Sequence, residues 1–510
     1  MSRLEAILEI GILLAATWPA IRFLSIPSIR REFAGIAAGV TGLLVLHVVA
    51  IALLALFAPV LLRFAAVLAA IALAAERWRA RSDHGARHRL PPGSLTIVPR
   101  QPWIDHLFYL KQAQRFGPIF KISLLHRPLI CIHGAKLGSA LFRQYEEVLE
   151  APPVRFNSFI PGGFLRYMAP SDHRTYKPLL QTALSPAVLR ANEDAIAHEV
   201  HGTFTGLVAS EAVDPTKQVE LRSELRDMFF RILAWLLFAI PADSEEKQRL
   251  QTLYDALDIR KMSLIPSHQD RRALEAIVEL IRERGNEIAA TLADGGTPPS
   301  CALTALLSSN PQALSDETLM RNLIYILQIG RADLTGLAMW TFKQLGDHPQ
   351  WQTRLVENAR TSSDEVDPSL PLRILKETLR LEQSEYVYRR AKRDIEFQDF
   401  VIPQGWRIRV LIREGHRDPA LFENPEHFDP DRFLAGRSGG GRFAPFGLGA
   451  HACIGVPVTE TVMAITLSEL GRSFDWRVLE DGPREYGWAH WQPSSKLRLA
   501  FYARPEQRSR

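Results

Sequence analysis

Between Ala34 and Ala75 the only clearly polar interruptions are Thr41, His47 and Arg63. As one straight helix this run would measure about 60 Å, roughly twice the thickness of a bilayer core. Two helices back to back fit better, with Pro59 at the turn and Arg63 near enough to the surface to snorkel. The sequence therefore predicts a membrane hairpin over 34–75, inside an anchoring segment 1–89. Arginines flank it on both sides: Arg22, Arg30 and Arg31 before, Arg77, Arg79, Arg81, Arg87 and Arg89 after. The positive-inside rule then places both ends, and the body that follows, in the cytoplasm. Upstream, residues 4–21 carry Glu5 and Glu9 one helical turn apart, which leaves a third span and an interfacial helix both open.

The remainder reads as a large globular body, since 47% of the 510 residues are hydrophobic and 23% charged. Cys131, Cys301 and Cys453 are far apart and odd in number, so neither a disulfide framework nor a cysteine-spaced zinc site is indicated. Net charge is only +5, and the basic residues cluster beside apolar segments rather than forming a stripe interleaved with aromatics. Nucleic acid is not an expected partner.

Prolines in residues 90–100 mark a hinge, and 101–510 form the expected catalytic domain. Residues 117–134 alternate and are rich in β-branched side chains, which predicts a strand hairpin containing Cys131 as a buried structural thiol. From about Pro178 to Leu381 amphipathic helical patterns dominate; after Leu381 short strands and turns take over. The fold class is mainly α with small β-sheets, preceded by the membrane segment.

The stretch FAPFGLGAHACIG, Phe443 to Gly455, sets Cys453 among glycines. By spacing alone a core cysteine, a nucleophile and a metal ligand all stay open. Glycines let a backbone approach a flat cofactor, and a thiolate held by backbone N–H groups can serve as a haem axial ligand.

Phe446, Gly449, Cys453 and Gly455, with Gly447 and His451 between, resemble the haem loop of the cytochrome P450 family, Phe-x-x-Gly-x-x-x-Cys-x-Gly, in its bacterial-type form. LKETLRL supplies Glu377 and Arg380 as the family's Glu-x-x-Arg, and HFDPDRF supplies Arg432, which completes its buried Glu-Arg-Arg network. HRTYKPLLQTALSP, LGDHPQWQTRLVEN and IPQGWRIRV follow the family's order across residues 90–505. The resemblance implies haem b with Cys453 as iron ligand and Phe446 packed near the sulfur. It implies His173, Lys177, Arg389 and His451 as partners of the haem propionates, with Arg390 a rival to Arg389. It further implies a separate electron donor, a ferredoxin or a flavoprotein reductase, and an apolar small-molecule substrate.

One segment departs from the pattern. The oxygen-activating helix of such proteins carries an acid followed directly by Thr, whereas this chain reads LQIGRADLTGLAMW. With Asp333 as the acid, Leu334 takes the Thr position and Thr335 lies one residue further, a rotation of about 100°. Asp333 and Thr335 are the candidate proton-relay residues, and Thr335 can serve only if the helix is locally distorted. Arg331 is a candidate contact for a substrate carboxylate. Monooxygenation is the expected chemistry; peroxide-driven peroxygenation or isomerisation, and a non-catalytic haem sensor, are the alternatives.

Overall fold

The computed structural model describes residues 48–51, 59–81, 89–95, 101–124, 127–151, 160, 163–213, 221–257, 268–361, 367, 369–383, 387–434, 441–486 and 491–504. The chain divides into two compact units. The first holds residues 1–150, 385–421 and 484–492, and the second holds 151–384, 422–483 and 493–510.

The first unit is built on a sheet in the order β1-β2-β3-β8-β5-β4. Its strands are β1 (Gly93–Ser94), β2 (Ile119–Leu124), β3 (Arg127–His133), β4 (Leu149–Glu150), β5 (Val387–Ala391) and β8 (Arg407–Leu411). The hairpin β2–β3 is antiparallel, with Phe120 opposite Cys131. Cys131 is fully buried, and burial pushes its thiol well above the ordinary range. A second hairpin joins β6 (Ile395–Phe397) to β7 (Phe400–Ile402). The Pro403-Gln404-Gly405 turn then leads into β8, with Gly405 at φ +79° as such a turn requires.

Helix α1 (Pro59–Arg81) follows a short described helical piece at 48–51. Among the described residues no helix is long and apolar enough to cross a membrane. Arg63 and Glu76 bracket an apolar stretch of only about 18 Å along the helix axis. Residues 34–47 and 52–58 of the expected membrane hairpin, and the possible helix at 4–21, lie outside the described residues.

The second unit is helical. Its helices are α2 (Pro170–Ala183), α3 (Glu193–Val213), α4 (Leu221–Phe238), α5 (Glu245–Ala256), α6 (His268–Ala293), α7 (Ala302–Ser309), α8 (Glu317–Asp347), α9 (Pro349–Arg360), α10 (Leu370–Thr378) and α11 (Val456–Ser473). A small antiparallel sheet pairs β9 (Phe474–Glu480) with β12 (Arg498–Ala503). One apolar core binds these elements, with Phe204, Phe229, Phe342, Leu375 and Leu467 fully buried. Helix α8 is the spine: Asp316 caps it by accepting the Leu319 N–H, and most of its residues are buried.

Candidate active site

The chain before Cys453 is held by buried charge. Glu377, at the end of α10, and Arg380, in the π-helical turn Leu379–Gln383 that follows, are both fully buried. Arg380 grips the carboxylate with two parallel bonds, Nε to Oε2 at 2.7 Å and Nη2 to Oε1 at 2.8 Å. Its remaining donors reach the carbonyls of Pro425 (2.7 Å) and His427 (3.1 Å). Arg432 approaches Glu377 Oε1 at 3.5 Å and donates to the Glu423 carbonyl at 2.6 Å, while the Asp429 N–H donates to Glu377 Oε1 at 2.9 Å. Three side chains thus pin the segment 423–432 onto the end of α10.

The cysteine loop follows. Gly447 and Gly449 have φ of +87° and +69°, a region that strains any residue with a Cβ. Their turns fold the loop so that the Cys453 N–H donates to the Phe446 carbonyl at 2.9 Å. The Cys453 sulfur is exposed and accepts the Gly455 N–H at 3.3 Å, immediately ahead of α11. A helix N-terminus with a donated N–H favours the thiolate form. Phe446 is partly buried against the core.

Basic groups gather at this loop. His173, on α2, is 4% exposed, and its ring lies 3.9 Å from that of His451, centroid to centroid. Lys177, one turn further along α2, donates to the Ala450 carbonyl. Partial burial lowers the Lys177 pKa, opposed by the charge of Cys453. A sulfur ligand beside two imidazoles and an ammonium is a donor set that fits an iron porphyrin with its carboxylates. Arg389 belongs to the other compact unit, where it donates to the Tyr388 carbonyl at 2.8 Å and stacks over Phe142. Its rival Arg390 pairs with Glu150 at 2.7 Å.

Helix α8 sorts the remaining candidates by face. Ile326 and Ile329 are partly buried and Asp333 is exposed, along one face of a helix most of whose residues are buried. The helix is α-helical throughout Glu317–Asp347, so the distortion that would bring Thr335 beside Asp333 is absent. Two residues correspond to about 200°, which turns Thr335 and Arg331 away from Asp333. Thr335 is buried and donates to the Arg331 carbonyl at 2.6 Å; Leu334 is buried as well. Asp333 and Thr335 thus stand on different faces of α8, with the Thr335 hydroxyl bonded to the Arg331 carbonyl.

Arg331 is 1% exposed, with its guanidinium 3.3 Å from Asp255 and near the rings of Phe230 (5.3 Å) and Tyr254 (5.9 Å). Burial lowers its pKa, as does the nearby Arg226, while Asp255 opposes the shift. The ion pair balances the charge that a substrate carboxylate would have used. The sequence reading missed the pocket lined by Tyr254, Tyr325 and Gln328. The i, i+4, i+7 spacing of Arg321, Tyr325 and Gln328 along one helix was the available signal.

With this geometry in view, comparison with known proteins is decisive. Residues 91–492 match the family profile described as Cytochrome P450. The chain belongs to the cytochrome P450 family. Among curated relatives, abscisic acid 8'-hydroxylase 2 of Arabidopsis thaliana is 24% identical over 78% of this chain and 86% of its own. Abscisic acid 8'-hydroxylase 3 of Oryza sativa subsp. indica is 26% identical over 78% and 84%. Among solved structures, the retinoic acid bound cyanobacterial CYP120A1 aligns with a TM-score of 0.66 and 24% identity, over 81% of this chain and 99% of that one. A zebra fish cytochrome P450 with progesterone gives 0.63 and 18%, over 78% and 99%. This P450 is an oxidoreductase of the monooxygenase class that uses haem b, takes electrons from a redox partner and acts on a small molecule.

Glu377→Ala removes the one carboxylate that neutralises two arginines, and is expected to cost about 3–5 kcal/mol. Urea unfolding measures it, and an unchanged midpoint would remove the network's structural role. Thr335→Val is expected to leave product formed per electron within about twofold, whereas Asp333→Asn lowers turnover about tenfold or more. A large loss in Thr335→Val would reinstate the hydroxyl as a relay.

Proposed function

We propose that this P450 is a membrane-anchored monooxygenase that oxidises an apolar small molecule carrying a polar end group, with Cys453 as the iron ligand. The exposed Cys453 sulfur, held by the Gly455 N–H beside His173, His451 and Lys177, carries the reading. Haem b bound there supplies the oxygen chemistry. The protein's part is to keep the sulfur ionised through the Gly455 N–H and the start of α11, and to neutralise the propionates through His173, His451 and Lys177. Asp333, exposed on α8, holds and passes protons through water in place of a neighbouring alcohol. Phe446 and the core behind it keep the sulfur side dry, which tunes the iron.

The substrate class follows from three names together. The relatives are hydroxylases of abscisic acid, and the structural neighbours hold retinoic acid and progesterone, which are apolar skeletons with polar ends. A ferredoxin or a flavoprotein reductase is the proposed electron donor, as membership of the family implies. Anchoring is supported by α1, where Val60, Leu61, Phe64, Val67, Leu68 and Ile71 are all more than half exposed. So large an apolar face belongs against lipid. The flanking arginines put the catalytic part on the cytoplasmic side. A peroxide-driven reaction is the second reading, favoured by the absence of an alcohol on Asp333's face of α8.

The reduced protein with carbon monoxide is expected to give a thiolate-type difference spectrum that Cys453→Ala abolishes; an imidazole-type spectrum in the intact protein would refute the ligand assignment. In flotation with phospholipid vesicles the full chain should rise with the lipid, and a chain lacking 1–89 should stay below. Equal flotation of the two would reject the anchor.

A further inference from the structure

Helix α2 meets the cysteine loop at two points one helical turn apart. The His173 ring packs on that of His451, with 3.9 Å between centroids and a tilt of 35°. Four residues on, the Lys177 ammonium donates to the Ala450 carbonyl. Positions i and i+4 share one face of a helix, so this face of α2 addresses two successive residues of the loop. Those residues belong to the short helical turn Gly449–His451, and Cys453 follows two positions later. The support itself is fixed. His173, Leu180 and Ala183 are buried, and the Tyr176 hydroxyl donates at 3.4 Å to Asp316 Oδ1, the same oxygen that caps the start of α8.

The loop needs such a support because it is irregular. Its backbone bonds run from Gly447 N–H to the Ala444 carbonyl (3.1 Å), from Ala452 N–H to the Gly449 carbonyl (3.1 Å) and from Cys453 N–H to the Phe446 carbonyl (2.9 Å). All three stay inside the loop, so they set its shape and leave its placement to other contacts. The Glu377 network holds the chain before it and α11 continues the chain after it; His173 and Lys177 act in between. A lysine ammonium has three donors, so the one given to Ala450 leaves two for a propionate. The charge on a Cys453 thiolate attracts the same ammonium and draws the two segments together.

We infer that Lys177 is a positioning residue for the iron ligand: bonded to the Ala450 carbonyl, it holds the turn before Cys453 so that the sulfur keeps its place at the iron. This goes beyond the propionate contact, because a residue that only neutralised a propionate would govern haem retention and not the sulfur. The inference rests on the reading of Cys453 as the ligand. Lys177→Met keeps the aliphatic stem and loses the donor, whereas Lys177→Arg keeps both the charge and a donor.

The test follows the carbon monoxide difference spectrum of the full-length haem-loaded protein in urea below its unfolding midpoint. In Lys177→Met the thiolate-type spectrum is expected to decay about tenfold faster than in the unaltered protein. The haem should still be bound when it does, which transfer to apomyoglobin measures separately. Lys177→Arg should bring the decay back to within about twofold of the original rate. Decay at the original rate in Lys177→Met, decay that only tracks haem release, or no rescue by arginine overturns the inference; the second of these leaves Lys177 as a propionate partner alone. An intact protein that gives no thiolate-type spectrum from the start rejects instead the ligand reading beneath it.

Discussion

The bidentate pair between Glu377 and Arg380 is the interaction on which the cysteine side of the second unit depends. Both side chains are completely removed from water, and isolated charges in such a place cost several kcal/mol each. They are tolerated because Arg380 makes four hydrogen bonds, two of them to the carboxylate, and Glu377 also receives the Asp429 N–H. The carbonyls it captures, at Pro425 and His427, belong to the irregular segment that leads to the cysteine loop. An irregular segment has few ladder bonds of its own, so side-chain donors must supply its order. The pair converts buried charge into the position of a loop.

The same logic of faces governs α8. An unbroken helix cannot aim residues two apart in one direction, and here the consequence is a division of labour. Asp333 is exposed, while Arg331 and Thr335 look into the packing with α4 and α5. The Thr335 hydroxyl is spent on the Arg331 carbonyl, and the Arg331 guanidinium pairs with Asp255.

Much of the fold was legible in the residues because the signals are local. The β2–β3 hairpin shows in the alternation of residues 119–133, and the helices from α3 to α6 show in their apolar spacing. The partnership of Glu377 with Arg380 was also local, three residues on one helix. Sheet order was not, because β3 lies beside β8, far along the chain, and no short-range pattern encodes that pairing. Of the apolar run 34–75 the structure describes only 48–51 and 59–75, and among the described residues no helix is long and apolar enough to cross a membrane.

The amino-acid sequence by itself singled out Cys453 as the candidate iron ligand, through the resemblance of residues 446–455 to the family's haem loop. It also determined the ion pair that anchors the preceding segment. Only the tertiary structure decided which residues of α8 act: facing is set by the neighbouring helices, α4 and α5, and their position arises from packing between distant parts of the chain. For the same reason only the structure showed that Lys177 meets the Ala450 carbonyl, since two segments so far apart in the chain are brought together by packing alone.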